Sequence, residues 1–280
     1  MGTWELGESF DSGLGEVRWD RLGDPGGAPL VLLHGTPFSS FIWRDVAPAV
    51  ARSRSVYVFD MPGYGSSAMV EGQDLSLDAL ACVFADLLGH WGLDRPDVVA
   101  HDSGGAVALG AHVDRGVPYR SLVLVDAVSL SPWGSAFFGL VGEHTEVFRQ
   151  LPGTLHRMML REYVATASSP GLRPEVLDTL TAPWLGADGQ AAFYRQLAQR
   201  RADPSYTDRI HRGYTGIDLP ALVCWGAEDT WVPAERGREL AGLIAGSELR
   251  VIEGAGHLLP EDRPAELTAA LLAFLQRGEG

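Results

Sequence analysis

Short apolar runs recur along the chain, and each is followed by a stretch whose apolar residues return every three or four positions. Pro29–Leu33 (PLVLL), Ser55–Phe59 (SVYVF), Asp97–Ala100 (DVVA), Leu122–Val125 (LVLV) and Ala221–Trp225 (ALVCW) predict buried strands. Glu248–Ile252 (ELRVI) adds a sixth. Between them Ser76–Trp91, Gly104–Gly116 and Pro233–Ala245 carry helical spacing, and Pro264–Gln276 closes the pattern as a helix. Strand and helix in alternation predict an α/β fold, a mostly parallel sheet flanked by helices. Ahead of it, Trp4–Phe10 and Gly15–Asp20 alternate apolar with polar residues, which predicts a leading antiparallel pair.

The alternation breaks between about Ser129 and Ile217. That stretch holds Trp133, Phe137, Phe138, Phe148, Tyr163, Trp184, Phe193 and Tyr194 at helical periods, with no convincing strand. It predicts a helical cap inserted after Leu122–Val125, the sixth strand once the leading pair is counted, lying over the carboxyl edge of the sheet where open α/β sheets bind ligands. The domain division is then 1–128 with 218–280 as core and 129–217 as cap.

Composition removes several chemistries. The chain has 280 residues, 36 acidic and 22 basic, for a formal net charge of −14, and every basic residue is arginine. Without lysine there is no Schiff-base nucleophile and no Walker lysine. The acidic surplus argues against nucleic acid and anionic membranes as partners. No apolar stretch approaches the length that spans a bilayer, and MGTWELGESF lacks a signal-peptide pattern, so a cytoplasmic setting is expected. Cys82 and Cys224 each lie in apolar runs and read as free, buried thiols. Oligomeric state is left open.

Chemistry concentrates at three strand ends. Val98-Val99-Ala100-His101-Asp102-Ser103-Gly104-Gly105 reads as strand, sharp turn and helix, the geometry of a nucleophile elbow. Positions two before and two after the nucleophile must be small. Centring on Asp102 puts Ala100 and Gly104 there, whereas centring on Ser103 puts the bulky His101 at one of them. Asp102 is therefore the candidate nucleophile. Asp229, in GAED after a strand, is the candidate acid, with Asp126 at the end of LVLVD as the alternative. His257, in GAGH after the last strand, is the candidate base. Nucleophile, acid and histidine in that order match the α/β-hydrolase arrangement. The loop Leu33-His34-Gly35-Thr36-Pro37 then supplies the Thr36 N–H of an oxyanion hole, and Ser103 supplies the other.

Nearly the whole chain resembles the α/β-hydrolase superfamily. HGTPFSSFIWRDVAPAV, DMPGYGSS and AHDSGG resemble its haloalkane dehalogenase and epoxide hydrolase branch, whose nucleophile is Asp. Two positions depart from the dehalogenases. Thr36 stands where they have Asn, and Ser103 stands where they have the Trp that grips halide. Ala192-Phe193-Tyr194-Arg195 resembles the cap segment of epoxide hydrolases that protonates the opening ring, which makes Tyr194 the matching proton donor. Tyr163 or His144 could serve as a second donor, and Phe38, Trp133 and Phe148 are candidate pocket residues. The resemblance implies a hydrolase that needs no metal or organic cofactor, taking water and a small uncharged organic substrate. The leading expectation is an epoxide hydrolase for apolar or aromatic molecules. The alternatives are a dehalogenase with Trp133 or Trp184 as halide donors, a serine esterase using Ser103, and a non-hydrolytic tailoring enzyme.

Overall fold

A computed structural model describes residues 4–131, 135–201 and 204–279. Eight strands form one sheet: Glu8–Asp11 (β1), Glu16–Leu22 (β2), Ala28–Leu33 (β3), Arg54–Phe59 (β4), Asp97–His101 (β5), Ser121–Val125 (β6), Ala221–Gly226 (β7) and Glu248–Ile252 (β8). Their order is β1-β2-β4-β3-β5-β6-β7-β8. β1 pairs antiparallel with β2, Glu8 facing Trp19, and β2 pairs antiparallel with β4. From β4 to β8 every pairing is parallel, with Leu30 beside Asp97 and Asp97 beside Ser121 at one end.

The apolar runs explain this arrangement. Leu30 to Leu33, Val98 to Ala100 and Leu122 to Val125 are fully buried, as strands covered on both faces must be. Each such Val or Leu contributes about 1.5–3 kcal/mol by leaving water. The first strand is shorter and later than its alternation predicts, running Glu8–Asp11 rather than from Trp4. Trp4 instead donates its indole N–H to Ser40 Oγ at 3.1 Å, which draws the leading residues onto the core.

Helices connect the strands: Ala47–Val50 (α1), Leu77–His90 (α2) and Ser103–Val113 (α3) precede β6. Ser76 caps α2, its hydroxyl accepting from Ala79 N. Between β6 and β7 the described residues form helices and turns only. These are Ala136–Glu143 (α4), Thr145–Phe148 (α5), Gly153–Ala165 (α6), Pro174–Thr181 (α7), Gly186–Arg201 (α8) and Pro204–Gly213 (α9). Ala234–Leu243 (α10), Leu259–Asp262 (α11) and Pro264–Leu275 (α12) complete the core. α4 and α6 both pack on α8. This helical segment is tied to the core by polar contacts: Trp184 Nε1 donates to Pro37 O at 2.7 Å, and Gln199 Nε2 donates to Gln73 O at 2.8 Å.

The parallel sheet gathers its carboxyl ends on one edge, and the loops leaving β3, β5, β6, β7 and β8 there carry Thr36, Asp102, Asp126, Asp229 and His257. At the opposite ends, buried Asp97 pairs with Arg54 at 2.6 Å. No described helix is long and apolar enough to cross a membrane.

Candidate active site

The turn from β5 into α3 is strained at one residue. Asp102 has φ 51° and ψ −126°, a region that costs a non-glycine residue about 1–3 kcal/mol. Ser103 already begins the helix. Backbone bonds hold the strained turn from both sides: Asp102 N donates to Val125 O at 3.1 Å, and Asp102 O accepts from Val128 N at 3.0 Å. Small neighbours make the approach possible. A Cβ on Gly104 would overlap His34 O, and one on Gly35 would overlap the Asp102 carboxyl. The strand, sharp turn and helix expected from the sequence are present, and the strained residue of the turn is Asp102.

His257 lies between two carboxylates. Its Nδ1 meets Asp229 Oδ2 at 2.8 Å, and its Nε2 meets Asp102 Oδ2 at 3.2 Å. Asp229 is oriented by the backbone, its Oδ1 accepting from Trp231 N at 2.8 Å and Val232 N at 2.9 Å. Burial alone would lower the imidazole pKa, but the charges and hydrogen bonds of Asp229 and Asp102 raise it well above its ordinary value. For Asp102, burial works to raise the carboxyl pKa. The hydrogen bond and charge of His257 outweigh it, so the carboxyl titrates below its usual range. His101, one residue before Asp102, donates Nε2–H to His257 O at 2.9 Å. Burial, then the charge of His257, takes its pKa down to about 3, so it is neutral.

The Thr36 amide reaches Asp102, donating to Oδ1 at 2.6 Å. The Ser103 amide, at the start of α3, faces the same carboxyl and helps to lower its pKa. The Ser103 hydroxyl turns elsewhere, to Thr36 Oγ1 at 3.1 Å. Asp126, the alternative acid, is not the partner of His257 Nδ1. It sits at φ 43°, accepts from Gly226 N at 2.7 Å through Oδ1, and its Oδ2 has no partner among the described residues. Burial first and the Asp229 charge second push its pKa well up, toward the uncharged form.

Aromatic rings lead away from His257. Trp231 stacks on it with centroids 5.0 Å apart, and Tyr163 stacks on Trp231 at 4.2 Å. Phe137 follows at 4.4 Å from Tyr163, then Phe148 at 6.2 Å, and Phe148 lies 6.2 Å from Tyr194. Phe38 packs 6.4 Å from His257 and 5.7 Å from His101. Phe38, Tyr163 and Phe148 therefore belong to one continuous wall that starts at the imidazole. Trp133 lies outside the described residues. His144 ends α4.

The two tyrosines differ. His156 Nε2 must carry a hydrogen, because it bonds Trp184 O at 2.9 Å. Its Nδ1 is then bare and accepts from the Tyr194 hydroxyl at 2.9 Å. Burial lowers the His156 pKa, which keeps the ring neutral. Tyr163 OH instead meets Ser135 Oγ at 3.2 Å. Its pKa is raised by burial and further by the charges of Asp102 and Asp229, which reach the phenol. Trp231, His156 and Gln196 went unpredicted, since their places depend on how loops and helices cross and not on local spacing.

The alpha/beta hydrolase family model matches residues 30–271. The chain belongs to that family. An alpha/beta hydrolase fold protein from Burkholderia ambifaria superposes with a TM-score of 0.92 at 41% identity, over 97% of this chain and 99% of that one. Epoxide hydrolase A of Mycobacterium tuberculosis is 29% identical over 305 residues, covering 92% of this chain and 94% of that protein. A dihydrolipoyllysine-residue acetyltransferase component of an acetoin cleaving system from Pseudomonas putida is 29% identical over 274 residues, 93% of this chain and 67% of the relative. The fold and the general class of hydrolase follow from this membership.

Proposed function

We propose that this alpha/beta hydrolase opens epoxides of small, uncharged, apolar or aromatic molecules through an ester on Asp102. The observation that carries the reading is the strained apex: a carboxylate, and not the Ser103 hydroxyl, stands between the two amides and His257 Nε2. A carboxylate oxygen attacks an sp3 carbon, the C–O bond to the ring oxygen breaks, and an alkyl ester remains on Asp102. His257, held by Asp229, then takes a proton from water, which adds to the ester carbonyl. The oxyanion forms beside the Thr36 and Ser103 amides, where one donor is worth roughly 3–4 kcal/mol.

Ring opening needs a proton for the departing alkoxide. Tyr163 is the better donor, because its ring stacks on Trp231, which itself stacks on His257, and burial keeps the phenol protonated at neutral pH. Tyr194 has its hydrogen committed to His156 and serves the cap helices. In the hydrolytic half, one hydrogen of the water ends on the diol and the other restores the phenol. The aromatic wall from Phe38 to Phe148 favours an uncharged substrate, and residues 129–217 act as the cap that brings it. The relative named as an epoxide hydrolase accords with this reading. Halide release has less support, because the Trp184 indole N–H is spent on Pro37 O.

The test is a leaving-group panel of styrene oxide, phenyl glycidyl ether, 1-bromobutane and p-nitrophenyl acetate. Diol from an epoxide, lost in Asp102→Asn, is expected. Bromide release with epoxides untouched, or ester cleavage that survives Asp102→Asn, contradicts the proposal.

A further inference from the structure

Helix α8 reaches the candidate site through Gln196, whose side chain is completely buried. Tyr64 donates its hydroxyl hydrogen to Gln196 Oε1. Tyr64 OH also lies 2.8 Å from Thr36 Oγ1, and Thr36 Oγ1 lies 3.1 Å from Ser103 Oγ and 3.3 Å from the same Gln196 oxygen. Each hydroxyl has one hydrogen to give. With the Tyr64 hydrogen on Gln196, the Thr36 hydrogen is shared between Tyr64 OH and the same Gln196 oxygen, and Ser103 donates to Thr36. The chain of bonds runs one way, from Ser103 to the helix, and Gln196 Oε1 is its last acceptor. Gln196 Nε2 has no partner among the described residues, so the side chain is held here by its oxygen.

Thr36 and Ser103 are also the residues whose backbone N–H groups approach the Asp102 carboxylate. Their side chains are thus fixed by a network that ends on the helical segment, while their amides face the carboxyl. The geometry points to Gln196 as a positioning residue that aligns the two amides, so that seating of the cap helix sets how well the site binds the oxyanion. This rests on the Asp102 ester proposed above. It says which half of the reaction responds. Carboxylate attack disperses charge away from Asp102 and has no need of tighter amides. Ester hydrolysis builds a new oxyanion between them and depends on their alignment.

Gln196→Leu removes the oxygen on α8 that accepts from Tyr64 and Thr36. In single turnovers with styrene oxide, ester decay is expected to slow about tenfold, a fraction of what losing a whole donor costs. Ester formation is expected within about twofold of the parent, so the ester accumulates by intact mass. Gln196→Glu, which keeps an acceptor of the same shape, is expected to restore most of the decay rate. Thr36→Val, which keeps the amide, is expected to slow decay similarly, with no further loss in the double variant. Formation and decay slowed together would mean a cap merely unseated. Unchanged decay, or fully additive losses, would also overturn the role of Gln196. His257→Gln separates the two ideas: no ester trapped there overturns the Asp102 pathway itself, whereas trapped ester with normal decay in Gln196→Leu overturns only the positioning.

Discussion

The proposed reaction needs Asp102 ionised while buried, and His257 neutral when water attacks the ester. Both needs are met by the same pair of contacts at different stages. In the free site the two carboxylates hold His257 well above its ordinary pKa, and His257 in turn holds Asp102 below its own. Once Asp102 becomes an ester its charge is gone, and one of the two groups raising His257 disappears. The imidazole pKa then falls, which frees it to accept a proton. The sign of the pH effect follows. Lowering the pH protonates His257 in the ester and slows decay about tenfold per unit below that pKa, while attack persists until the depressed Asp102 is protonated. Quenched single turnovers at pH 5 and pH 8 are expected to show more ester at pH 5. The reverse order would contradict the assignment. Asp126 supplies a second residue-scale prediction. Its carboxyl bonds Gly226 N and not His257, and burial pushes it toward the uncharged form, so Asp126→Asn is expected to change turnover by less than about threefold. Asp229→Asn is expected to cost about a hundredfold or more through loss of the imidazole's partner. Steady-state rates of both variants check this.

At the scale of elements, the elbow works because strand, turn and helix meet with no spare volume. Gly35 is pressed against the Asp102 carboxyl, so the added methyl of Gly35→Ala has to displace that carboxyl. Activity is expected to fall about a hundredfold with far-ultraviolet circular dichroism retained, and the melting curve is expected to show a loss of about 1–3 kcal/mol. These contacts were partly legible in the chain. The runs PLVLL and LVLV are apolar on both faces and could only be interior strands. Small residues flanking Asp102 marked the apex, because a tight turn tolerates nothing else. Helix α8 was read less completely. Tyr194 and Gln196 lie two positions apart, so a helix turns them toward different surroundings. Sequence likeness singled out Tyr194, yet its hydroxyl goes to His156, while Gln196 faces Thr36 and Tyr64. Spacing cannot tell which face of a helix buried on several sides meets which loop. Trp231 escaped notice for a related reason, since only the path of the loop after β7 brings its ring onto His257.

On the scale of the whole molecule, one sheet edge gathers groups from distant parts of the chain. Thr36, Asp102, Asp229 and His257 span more than two hundred positions, yet they meet within hydrogen-bond distances because parallel strands end together. The helical segment completes that edge with rings and with Gln196, so in the proposed reaction binding surface and oxyanion geometry share one support. The acidic surplus lies outside this set, apart from the two carboxylates flanking His257. The central claim is covalent attack by Asp102, and oxygen labelling tests it most directly. A single turnover of an epoxide in H2(18)O should give diol carrying ordinary oxygen from the carboxylate, with the heavy label appearing in the peptide that contains Asp102. Heavy oxygen in the first diol, with Asp102 unlabelled, would mean direct attack by water and would contradict the account.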